Sequence, residues 1–252
     1  MDKRPPLAKK YFLEQHKLCC RYLRAYVLRR SAENLHQLRV SIKKIRALLK
    51  MLNKLEPDFE YRKNFSPYRN IFRKAGAIRE ESLHVEKLNE DERHKPKPSV
   101  QKNIDKLKGG LVKSIPASLR GISKVQNTIA NCFGKVDRKE ILPYCARLFR
   151  HLGSNWKKMK TEEDLHAFRK RLKHFIYCSQ LLTEAEMGEL VSEKKYRKLD
   201  ELQDIIGKWH DNVLLLNKVS KENLEVDSDF LFALKHQTHQ LLMKAHKKGN
   251  KL

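Results

Sequence analysis

His36, Arg39, Lys43 and Arg46 follow one another at spacings of three and four residues, and His166, Arg169 and Lys173 repeat the first three about 130 positions later. Guanidinium forks and ammonium groups in a row suit phosphate or carboxylate ligands, and a histidine among them donates from both ring nitrogens once protonated. At 100° per residue the four first-half side chains share an arc of about 80° and extend about 15 Å along a helix. Leu38, Ile42, Ile45 and Leu49 occupy the adjoining arc, so the cations run beside the apolar stripe instead of opposite it. That places them at a seam where another helix packs, whereas Lys44 points outward as an ordinary solvated lysine. Arg21 and Arg24 upstream, Arg69 and Arg73 downstream, and the pair Arg79 and His210 supply further cations whose direction the sequence leaves open.

The same residues argue against other chemistries. No phosphate-binding loop of the G-x-x-x-x-G-K-(S/T) type is present, and the acidic clusters Glu80-Glu81 and Glu162-Glu163-Asp164 fall at helix ends, a structural position. Cations around His36 and His166 repel a metal ion, and no carboxylate stands by to orient either ring. No catalytic residue, metal or cofactor is expected. Cys19, Cys20, Cys132, Cys145 and Cys178 lack paired spacing and read as reduced thiols in a cytoplasmic protein.

Helices must position this row. Ser31 and Thr161 are N-cap residues ahead of runs with apolar residues at i, i+3 and i+7, namely Leu35, Leu38, Ile42 and Leu165, Phe168, Leu172. Upstream, Lys17, Leu18, Tyr22 and Tyr26 correspond to Arg147, Leu148, Leu152 and Trp156. Downstream, Gly76-Ala-Ile-Arg79-Glu80 corresponds to Gly207-Lys-Trp-His210-Asp211. The offset predicts two halves of about four helices each, over 7–30, 32–55, 60–76 and 78–115, then 137–159, 162–185, 189–207 and 208–247. A charged break falls near Glu90–Pro98, a second near Val226, and a glycine ends or bends the third helix of each half. The fold class is all-α: two four-helix bundles related by an internal repeat, residues 1–120 and 121–252.

Composition agrees. The 252 residues carry 55 Lys and Arg against 30 Asp and Glu, a formal charge of +25, with 40% apolar residues to build a core beneath them. Such a body is made for an anionic partner, and no apolar run is long enough to span a membrane.

The repeated L-H-x-x-R-x-x-x-K, continued by (K/R)-x-R in the first half, and the G-x-x-(R/H)-(D/E) after each copy resemble the CHAD family, the conserved histidine α-helical domain, over about residues 7 to 247. The resemblance implies two four-helix bundles in pseudo-twofold relation around a basic central cleft, and binding of inorganic polyphosphate by His36, Arg39, Lys43, Arg46, His166, Arg169 and Lys173. Ile176 stands where arginine is expected, Gln180 where glutamate commonly follows, and His210 where the first half has Arg79. The first half should therefore bind more strongly. A linear polyphosphate asks for cations in a row without base recognition, which fits the residues independently. Sequence-non-specific nucleic-acid binding at low salt is the alternative, and phosphotransfer a weaker one. Against base stacking, Tyr22, Tyr26, Trp156, Phe168 and Phe175 occupy apolar-stripe positions. If the histidines contact the ligand, affinity rises as pH falls from about 8 to about 6.

Overall fold

The computed structural model describes residues 7–89, 98–159, 161–221 and 226–250. Among these the chain is all α-helix without a strand: α1 (Leu7–Leu28), α2 (Ala32–Leu55), α3 (Tyr61–Asn89), α4 (Pro98–Phe133), α5 (Arg138–Lys158), α6 (Glu162–Ser179), α7 (Glu184–Leu190), α8 (Glu193–Lys221) and α9 (Ser228–Gly249). Two compact units result, Met1–Glu140 and Ile141–Leu252. The division thus falls in the first turn of α5 and not at 120, because α4 continues through that position to Phe133.

The caps that open the two cation-bearing helices form as their residue types dictate. Ser31 Oγ accepts the Asn34 N–H at 3.2 Å. Thr161 Oγ1 accepts the Asp164 N–H, and the Asp164 carboxylate accepts the Thr161 N–H in return, both at 3.1 Å. Asn34 carries an amide where Asp164 carries an acceptor, so it turns outward and donates to the Arg29 carbonyl at 3.0 Å.

Several predicted boundaries differ, among them the end of the fourth helix, expected at 115 and found at Phe133. α3 passes through Gly76 and α8 through Gly207, so neither glycine ends its helix. α6 stops at Ser179, because Thr183 and Glu186 form a second capping box that starts the short α7. The break after α8 is present, with Asp227 capping α9. Residues 90–97 of the predicted charged break lie outside the described residues.

In the first unit α1 packs on α2, α2 on α3, α3 on α4 and α4 back on α1, a closed ring of neighbours. Leu23, Leu38, Ile42, Ile45, Leu48, Tyr68, Ile71, Ile122 and Phe133 fill it, all fully buried. His16 is buried with them and its Nδ1 lies 2.7 Å from the Tyr68 hydroxyl, tying α1 to α3. In the second unit the core joins Leu152 and Trp156 of α5, Phe168, Leu172 and Phe175 of α6, Leu202, Ile206 and Trp209 of α8, and Ala245 of α9. Trp156 meets Phe168 edge-on at 5.0 Å, closes against Gly249, and donates from its indole nitrogen to Asn250 at 2.9 Å. The five cysteines are free thiols, and burial holds Cys145 up at about 12.

Candidate functional site

In the first unit the row rises from α2. His36 and Arg46 are exposed, Arg39 and Lys43 half-buried. Arg39 reaches across to α3, where its guanidinium carbon sits 4.4 Å from the centre of the Phe72 ring and Nη1 donates to the Phe72 carbonyl at 3.2 Å. That carbonyl lies one turn before Gly76, and a Cβ at position 76 would stand 2.7 Å from Nη1. Gly76 is therefore a close-approach residue. Arg46 and Arg69 each lie 5.9 Å from the Phe65 ring.

His36 is held below the ordinary histidine range first by desolvation and then by Lys43, Arg79 and Arg39, with Glu33 pulling the other way. Arg79 thus acts electrostatically on His36, and its Nη1 also pairs with Glu86 at 3.2 Å. Arg21, Arg24 and Arg73 are exposed, and no described contact brings them to His36; Arg21 lies 5.9 Å from the Tyr22 ring and Arg24 acts on Cys20 instead. Lys44 is not the outward residue expected: it is half-buried, and burial lowers its ammonium pKa.

In the second unit, His166 and Arg169 of α6 face Gly207 and His210 of α8. The rings of His166 and His210 lie 4.3 Å apart at 35°. His166 is lowered by burial, then by Lys170 and Arg169. His210 falls further, to about 4, through burial, His166 and Arg169, with Asp211 opposing. Burial also lowers Arg169, while Asp211, Tyr177 and Asp204 favour its charge. Arg169 Nε, His166 Nδ1 and Trp209 Nε1 are buried atoms without a hydrogen-bond partner. Buried donors in that state carry a cost that a ligand or water relieves. Lys173 is half-buried, and Ile176 is buried in the core where α2 has exposed Arg46.

Sequence reading missed the Arg39 contact with Phe72, the approach of Arg169 to Gly207, and Lys170 beside His166. Lys170 was within reach, since i and i+4 share a helix face. The glycines differ in tightness: a Cβ at Gly207 would lie 3.3 Å from Arg169 Nη2, against 2.7 Å for Gly76 and Arg39. Gly76→Ala should displace the Arg39 guanidinium from its carbonyl and destabilise by about 1–2 kcal/mol, despite alanine's better helix propensity. Gly207→Ala should be nearly neutral, because that propensity gain of about 1 kcal/mol offsets a small shift. Thermal melts of the two variants check the ranking, and equal midpoints would refute it.

Among the described residues no group of three His, Cys, Asp or Glu is arranged to hold a metal ion, and no helix is long and apolar enough to cross a membrane.

The CHAD domain sequence profile matches residues 14–219. The crystal structure of the CHAD domain from the plant Ricinus communis superposes with a TM-score of 0.72 at 16% identity, covering 99% of this chain and 93% of that one. Comparison with curated proteins gives no significant match.

Proposed function

As the chain belongs to the CHAD domain family, we propose that it binds inorganic polyphosphate, or a linear polyanion of the same chemistry, without catalysing its turnover. The two units are read as a duplicated module, each presenting a basic face: His36, Arg39, Lys43, Arg46 and Arg79 on one, His166, Arg169, Lys170, Lys173 and His210 on the other. The observation that carries the reading is the surplus of positive charge at each histidine. His36 feels three cations against Glu33, and His166 feels Lys170 and Arg169, with Asp211 acting on the neighbouring His210 and Arg169. A surplus of that kind next to half-buried arginine forks matches a chain of phosphates that has no bases to read.

Against nucleic acid, Tyr26, Trp156, Phe168 and Phe175 are buried in the cores, where they cannot stack on bases; Tyr22 is half-buried. Catalysis would need a carboxylate-held metal or a phosphate loop, neither of which the sequence motifs supply. A cytoplasmic location, with attachment to polyphosphate granules, belongs to the same proposal. The test is a competition at physiological salt between long-chain polyphosphate and single- or double-stranded nucleic acid of matched charge. Polyphosphate should win clearly, since unspecific binding fades steeply with salt. Preference for nucleic acid would overturn the reading.

A further inference from the structure

A cavity of about 120 Å³ opens in the first unit at the start of α2, ahead of His36 in the chain and sharing Arg79 with its site. Tyr26 of α1, Arg30 and Ser31 of the α1–α2 link, Arg79 and Ser82 of α3, and Lys108 of α4 contribute its walls. The volume is well above that needed by a single water. Tyr26 is fully buried, and its hydroxyl has no hydrogen-bond partner. A polar atom in that position is costly unless something that enters the cavity satisfies it.

The charges around it favour an anion. Arg30 acts directly on the Tyr26 hydroxyl, opposing the rise that burial causes. Glu86 also lines the cavity and engages Arg79. Among the described residues Arg30 and Lys108 have no carboxylate partner, which leaves three cations against one carboxylate on the walls. Glu33 in the first turn of α2 is hydrogen-bonded to Gln37. The N-terminus of α2 adds its positive dipole end, with Ser31 capping one of the amides.

We propose that this cavity seats the terminal phosphate of a polyphosphate chain, with Arg30 and Lys108 pairing its charge and the Tyr26 hydroxyl donating to an oxygen. The inference rests on the polyphosphate reading above and deepens it. An interior phosphate carries about one charge, whereas a terminal group approaches two near neutral pH, so a concave site with surplus cations selects the end. Arg79 joins the two sites: the end sits at the start of α2, and the following units run along His36, Arg39, Lys43 and Arg46. The protein then engages a chain end as well as the units that follow it.

The test compares short-chain polyphosphate with the same material whose terminal phosphates are blocked as phosphoramidates, at physiological salt. The unmodified protein should bind free ends about tenfold more tightly, the size of one charge-assisted hydrogen bond. Tyr26→Phe and Arg30→Gln should each shrink that ratio, and Tyr26→Phe should keep or raise the melting temperature because an unpartnered buried hydroxyl has gone. Lys124→Gln, an exposed change of equal charge on α4, should leave the ratio as it was. Unchanged ratios in both site variants, or a fall in the melting temperature of Tyr26→Phe, would overturn the seat while leaving the basic faces standing. Failure of the unmodified protein to bind either material would remove the polyphosphate reading and the seat together.

Discussion

Acidification from about pH 6.5 to about pH 4 should weaken the free protein and, if it binds polyphosphate as proposed, tighten that complex over the same interval. The first effect follows from His210, whose pKa drops from 6.5 to about 4 on folding, chiefly through burial and then through His166 and Arg169. Between those values the unfolded chain binds more protons than the folded one, so stability falls as the pH falls. The ring is only partly buried, so solvent screening reduces what this shift contributes to stability, but its sign is fixed. His36 and His166 are lowered as well, as is His16, which burial in the first core alone accounts for. All four act in one direction. Denaturant midpoints measured across the interval should therefore decline, and His210→Gln, which keeps a neutral polar side chain, should flatten much of the slope.

Binding reverses the sign. In the proposed complex, phosphate oxygens beside His36, His166 and His210 would replace a positive field with a negative one, and protonation would become favourable. The complex then takes up protons, and affinity rises as pH falls. The rings start from depressed values, so the rise is centred lower than the interval from 8 to 6 that unburied histidines suggest. Asp211 and Glu33 moderate the effect from within the two sites. The variant His36→Gln with His166→Gln should lose a large part of the pH dependence at two salt concentrations, the remainder resting on His210, because contact effects survive screening that removes the long-range field. A double variant with the full dependence would make both rings structural.

The repeated histidine, the caps and the amphipathic periodicity were legible because they depend on local chemistry. Ser31, Thr161 and Asp164 satisfy amides within three residues, and Leu38 and Ile42 or Phe168 and Leu172 recur with the helical turn. What escaped was the reason for two glycines. In sequence, Gly76 and Gly207 read as helix ends, since glycine is a common terminator. In the fold each lies inside a helix, at the height where an arginine from a neighbouring helix arrives, and only the pairing of α2 with α3 and of α6 with α8 reveals it. The burial of Lys44 escaped for the same reason. Its angle on α2 is away from Leu38, but what else covers it is a tertiary fact.

The same tertiary contacts change what the two matched arginines are expected to do. With Ile176 in place of a fourth cation, the sequence ranks the first half as the stronger binder. Arg39, however, already spends one donor on the Phe72 carbonyl and a face on the Phe72 ring, so it joins α2 to α3 as well as facing ligand. Arg169 has a buried Nε that no protein group satisfies. Arg39→Ala should therefore lower stability by about 1–3 kcal/mol, combining a lost charge-assisted bond with lost packing. Charge reversal there should be worse, because a carboxylate would face a carbonyl and the negative face of a ring. Arg169→Ala should leave stability within about 1 kcal/mol, since it removes an unsatisfied donor along with the side chain, and should instead weaken polyphosphate binding about 10- to 100-fold. Melts and titrations on the two alanine variants distinguish the roles. If Arg39→Ala melts like the parent while costing more affinity than Arg169→Ala, the donors of Arg39 belong to the ligand and the tie to Phe72 contributes nothing measurable.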